Sequence, residues 1–139
     1  HTVDFKNFPD QPYFIGGGLL EVPVSISPRF PKLLNRTLWL RPTLSSYPQM
    51  KEVVYDYLKR HSSHADIFLN LMFHNVEVIP GKNPYTKTKK DVEEFLERLE
   101  RILDYIRQLK GTFILLKEAY EISQNNHLKI PESNYGNTA

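Results

Sequence analysis

The chain has 139 residues and a mass of 16.3 kDa, is 40% hydrophobic and 24% charged, and carries 8 Phe, 8 Tyr and 1 Trp. That is one globular domain with a buried core, and it excludes a disordered, collagen-like or disulfide-scaffold chain. The net charge of +2 is spread evenly apart from the short run Lys87, Lys89, Lys90, so no nucleic-acid footprint is present. With no Cys, any catalysis or metal binding rests on His, carboxylate or hydroxyl groups. No apolar run reaches the roughly 18 residues of a membrane span, and the polar stretch His1 to Asp10 has no signal-peptide core; a cytoplasmic protein is the expectation.

From His1 to Pro12 the chain is polar and aromatic without a period, which reads as an extended segment. Gly16, Gly17 and Gly18 mark a turn, because only Gly takes positive φ freely. Leu19 to Ile26 is apolar and β-branched and predicts a strand, with Pro23 placing it at an edge or bulge. Its one polar outlier, Glu21, is either a carboxylate facing a cleft or an edge residue facing water. Pro28, Pro31, Pro42 and Pro48 then impose an irregular excursion, with a short helix or strand around Leu33 to Leu40. Arg41, just before Pro42, is a clamp for a carboxylate or phosphate, or else a loop arginine in solvent.

Met50, Val53, Val54, Tyr57 and Leu58 fall on one face of a helix spanning Tyr47 to Arg60, with Ser46 as N-cap and basic residues at its end. The dense run Asp66 to Phe73 fits a central strand covered on both faces, and His74 ends it. Asn75 to Tyr85, with Pro80, Gly81 and Pro84, is a long loop. Thr88 and Asp91 form a capping-box variant for a helix from Lys89 to Lys110, whose apolar stripe is Val92, Phe95, Leu96, Leu99, Ile102, Leu103, Ile106 and Leu109, and Gly111 is placed to end it at C′. A strand over Thr112 to Leu116 and a short helix over Lys117 to Ser123 follow, then a polar tail over 124–139. Strands alternating with helices predict a single α/β domain over 1–123 with parallel pairing through right-handed crossovers.

In parallel α/β folds functional side chains gather at the carboxyl ends of strands, which puts His74 first among the candidates, as a general acid or base. Glu77, three residues on, is placed to orient it, and Tyr85 offers an aromatic face that could stack on a sugar. His61 and His64 have a spacing that allows a shared metal, but they fall where the helix ends.

The segments GGGLLEVPVS (Gly16 to Ser25), LRPTL (Leu40 to Leu44), NLMFHNVEVIPGKNPYT (Asn70 to Thr86) and GTFILLKEAY (Gly111 to Tyr120), in this order, resemble the C-terminal half of a polysaccharide deacetylase of carbohydrate esterase family four. That resemblance implies a partial (β/α) barrel and a divalent metal, zinc or similar, held by one Asp and two His. It implies a carbohydrate or amino-sugar substrate, with His74 as the late-strand acid that protonates the leaving amine. Arg41, Glu77, Glu21 and Tyr85 are then candidates for orienting or substrate contact. The family's early Asp pair and its His-x-x-x-His metal pair have no counterpart here, since Asp4 and Asp10 stand alone and Phe5 occupies the place of the second His. On this reading the chain is the C-terminal portion of a larger deacetylase and is inactive alone. It self-associates or pairs with a missing N-terminal half, and the alternative is a non-catalytic binding or assembly module.

Overall fold

The structure, a computed structural model, describes residues 9–28 and 37–125. Strands β1 (Tyr13–Ile15) and β2 (Leu19–Glu21) pair antiparallel, with Phe14 opposite Leu20. Gly17 and Gly18 both sit at φ 83° in the connecting turn, a backbone that a side chain would strain. Strands β3 (Ile26–Pro28) and β4 (Thr37–Trp39) form a second antiparallel pair, with Ser27 opposite Leu38. Helices α1 (Tyr47–Arg60), α2 (Lys89–Gln108) and α3 (Leu116–Asn125) follow, with a 3-10 turn at Asn75–Val78 between the first two.

The core lies where β4 meets α1 and α2. Leu38 and Leu40 pack with Met50, Val53, Val54 and Tyr57 of α1 and with Ile102 and Ile106 of α2. The predicted face of α1 is buried at Met50, Val53, Val54 and Tyr57, whereas the α2 stripe is buried only at Phe95, Ile102 and Ile106, with Leu96 and Leu109 exposed. Tyr57 is fully buried, but its hydroxyl accepts a hydrogen bond from the Ile26 N–H at 3.2 Å, tying α1 to β3. Burial pushes the Tyr57 phenol above its ordinary value of 10.0.

The helix ends are fixed by local chemistry. At the start of α2 the Asp91 N–H donates to Thr88 Oγ1 at 3.1 Å, and the Thr88 N–H donates to Asp91 Oδ2 at 2.7 Å. At its end the left-handed residue is Lys110, at φ 63°, rather than Gly111. The Lys110 N–H bonds the Arg107 carbonyl and the Gly111 N–H bonds the Ile106 carbonyl, both at 2.9 Å, completing a Schellman motif with Gly111 one residue later than expected. Glycine is required there for room, because a Cβ on Gly111 would stand 2.5 Å from Ile106 Cγ2.

The α/β partial (β/α) barrel with parallel strands is corrected by this architecture: both ladders are two-stranded and antiparallel, and no parallel ladder or barrel occurs among the described residues. Connection length is the physical reason. Three glycines join β1 to β2, and eight residues, 29–36, join β3 to β4, both short of the dozen or more that a parallel crossover needs. The segments expected as a central strand over Asp66 to Phe73 and a further strand over Thr112 to Leu116 do not join a ladder, and Leu116 already belongs to α3. The first is extended and bonded along one edge: Gln11 holds both backbone groups of Phe68, Ser25 holds those of Asn70, and the Met72 N–H reaches the Leu40 carbonyl at 3.3 Å. The intervening residues Leu69 and Leu71 make no backbone hydrogen bond among the described residues. The strand predicted over Leu19 to Ile26 is split between β2 and β3. Residues 1–8, 29–36 and 126–139 lie outside the described part, so the extended start, most of the excursion before Leu40 and most of the tail lie there too.

Candidate functional site

His74 stands where the extended run ends and the chain turns. Its backbone is extended (φ −103°, ψ 143°), and its carbonyl accepts the Glu77 N–H at 2.9 Å, which starts the 3-10 turn. The side chain is exposed, and the ring makes no hydrogen bond among the described residues. Just before it, the Phe73 ring packs edge-on against Phe95 of α2 at 5.7 Å, which anchors the site to the long helix.

Glu77 points the opposite way. It is fully buried, and its Oε1 lies 2.5 Å from Arg41 Nη2, the Arg41 side chain being 7% exposed. The same guanidinium donates through Nε to Thr43 Oγ1 at 3.1 Å and lies over the Tyr85 ring, 4.8 Å from its centroid. Arg41 is thus a clamp whose carboxylate is supplied from within the chain. Glu77 Oε2 is buried without a hydrogen-bond partner among the described residues.

The loop after His74 is locked by its own polar groups. Asn83 Nδ2 donates to the Val76 carbonyl at 2.8 Å and to Thr86 Oγ1 at 2.7 Å, while Asn83 Oδ1 accepts from the N–H groups of Tyr85 (2.9 Å) and Thr86 (2.8 Å). Thr86 Oγ1 in turn donates to the Glu77 carbonyl at 2.8 Å, and the Gly81 N–H reaches the Thr86 carbonyl at 2.8 Å with Gly81 at φ 75°. Asn83 and Thr86 escaped the sequence reading, although Asn followed by Pro is a turn signal through which an Asn side chain bonds the backbone two and three residues on.

Of the five candidate residues, the structure joins Arg41, Glu77 and Tyr85 by direct contact and sets His74 at the head of the same loop. Glu21 sits apart. It is exposed on β2 opposite Tyr13, and its side chain makes no hydrogen bond or ion pair among the described residues.

Among the described residues no three His, Asp or Glu side chains are grouped to hold a metal ion. His61 and His64 do approach, with ring centroids 5.1 Å apart, and His61 Nε2 lies 3.1 Å from Asp10 Oδ1. Asp10, however, is paired with Arg60, which also bonds Asp56 at 2.9 Å. Burial opposes the Arg60 charge, but these two carboxylates outweigh it and hold the guanidinium above its ordinary range. This is an ion-pair cluster fastening residue 10 to the end of α1. No helix among the described residues is long and apolar enough to cross a membrane. No protein-family model, curated protein or solved structure matches the chain.

Proposed function

We propose that the chain is the acid-bearing portion of a metal-dependent carbohydrate or amino-sugar N-deacetylase, in which His74 protonates the departing amine. Water adds to the acetamide carbonyl carbon, the C–N bond breaks, and acetate and a free amine leave. Imidazole exchanges protons near neutral pH, so a histidinium can give its proton to the nitrogen as that bond breaks. What supports the reading is the pairing of an exposed, uncommitted His74 ring with a loop fixed by the buried Arg41–Glu77 contact. A general acid works only when its position is held, and here the loop that follows His74 is held by groups that do not compete for the ring. Tyr85, 43% exposed, presents an aromatic surface beside Arg41 on which a sugar ring could stack.

The described residues do not fit the metal that this reaction class uses, since Glu77 is committed to Arg41 and His74 has no neighbouring donor pair. The test is acetate release from acetylated chito-oligosaccharides by the protein as its gene encodes it, with His74→Ala beside the parent. General acids contribute roughly 10²–10⁴-fold, so a loss of at least about 100-fold with an unchanged melting temperature is expected. Undiminished turnover in the variant overturns the proposal.

A second reading, a non-catalytic binding or assembly module, draws on the exposed apolar segment after α2, where Leu115 and Leu116 are 71% and 73% exposed. On that reading His74→Ala leaves function intact, and changes at the apolar segment abolish it.

A further inference from the structure

A cavity of about 660 Å³ lies between the run 66–73, the second half of α2 and α3, a volume typical of small-molecule sites. Leu69 and Leu71 line it from the run, Leu99 and Leu103 from α2 and Ile122 from α3. All five stay half-buried, so the packing among the described residues leaves this apolar surface partly uncovered. The polar lining is sparse and mostly committed. Asn70 Nδ2 donates to the Val22 carbonyl at 2.8 Å, and Asp66 has a partner of its own. Lys110 is the exception: among the described residues it is the one cation that lines the cavity, and its ammonium makes no hydrogen bond or ion pair. Lys110 is exposed as well as lining, which puts its charge at the mouth.

Lys110 also holds a left-handed backbone, φ 63°, which strains a lysine and which glycine takes freely. A strained residue beside a cavity is accounted for when its side chain has a task there. The last carbonyls of α2 would repel an anion, but the Arg107 carbonyl accepts the Lys110 N–H and the Ile106 carbonyl accepts the Gly111 N–H, both at 2.9 Å. We propose that the cavity binds a fatty carboxylate, its hydrocarbon chain among the leucines and its head on the Lys110 ammonium. The lining from Leu99 to Lys110 spans about 16 Å at about 1.5 Å per residue, the length of an extended chain of about twelve carbons. An uncharged head leaves the ammonium unanswered and a cationic one is repelled, so the charge at the mouth selects the acid. None of this depends on His74.

Calorimetric titration of the intact protein with saturated fatty carboxylates of increasing length, each below its micelle concentration, tests this on the unaltered chain. One molecule should bind per chain, with affinity rising roughly fourfold per added methylene and levelling off near about twelve carbons. At matched length the neutral alcohol and the trimethylammonium amphiphile should bind several-fold more weakly. Lys110→Gly relaxes the turn and keeps the fold, and it should weaken the carboxylate several-fold while leaving the alcohol unchanged. In methyl NMR spectra the resonances of Leu69 and Leu103 should shift as the site saturates. No saturable binding of any carboxylate overturns the proposal, as does an affinity equal to that of the alcohol or indifferent to Lys110→Gly. Affinity that keeps rising well past the cavity's length, or leucine resonances that stay still, also overturns it, by placing the hydrocarbon chain outside the cavity.

Discussion

At the scale of single residues, the decisive feature is a buried charge answered from 36 residues away in sequence. Arg41 and Glu77 were both legible as candidates, Arg41 as a clamp beside a proline and Glu77 as a neighbour of His74. That each is the other's partner was not legible, because spacing along a chain says nothing of contacts made through the fold. The consequence for stability is asymmetric. Removing one member leaves an uncompensated charge in the interior, at a cost of about 3–5 kcal/mol, while replacing both by apolar residues costs much less. Arg41→Ala should therefore lower the melting temperature more than the double replacement Arg41→Met with Glu77→Leu. If the single variant proves the milder of the two, the pair does not hold the loop. Glu21 illustrates the opposite outcome: an acid inside an apolar run looked equally like a cleft residue or an edge residue, and it lies exposed on a hairpin edge.

At the scale of elements, helices were readable and strand partners were not. The helix expected over Tyr47 to Arg60 has those bounds, and α2 ends two residues before the expected Lys110, because apolar periodicity and caps are local signals. Strand pairing is not local, so the apolar run Asp66 to Phe73 reads as a strand covered on both faces, whereas it lies only half-buried, with Phe73 exposed and its bonds along one edge. The C-terminus of α2 shows how far local chemistry reaches. Glycine was expected at C′, yet Lys110 takes the left-handed conformation and Gly111 provides clearance. Lys110→Gly should accordingly stabilise the protein, by roughly 1 kcal/mol, through relief of the left-handed backbone. Gly111→Ala should destabilise it by about 1–3 kcal/mol through overpacking against Ile106. Chemical denaturation of the two variants checks both signs. The opposite end of α2 is sensitive to pH. Hydrogen bonds from the backbone and side chain of Thr88 hold the Asp91 carboxyl below its ordinary value of 3.8. A depressed carboxyl contributes stability above the unfolded value and loses it as the pH falls through the folded one. Asp91→Ala should thus be less stable than the parent at pH 7, with the gap closing as the pH drops below 3.8. A gap that persists into strong acid would remove Asp91 from the cap.

At the scale of the whole molecule, the core where β4 meets α1 and α2 is a support for one loop. Its Arg41, just past β4, and its Phe95, on α2, grip the segment that begins at His74 from two sides. The barrel expected from the order of segments did not form, since connections of three and eight residues close hairpins rather than crossovers. The proposed chemistry depends on the presentation of His74 rather than on that barrel. The most direct measurement compares His74→Ala with the parent on two acetylated substrates, an amino-sugar amide and an aryl ester whose leaving group departs without protonation. If His74 is the general acid, turnover of the amide falls at least about 100-fold while that of the aryl ester is nearly unchanged. Equal losses on both substrates, or none on either, would contradict that role.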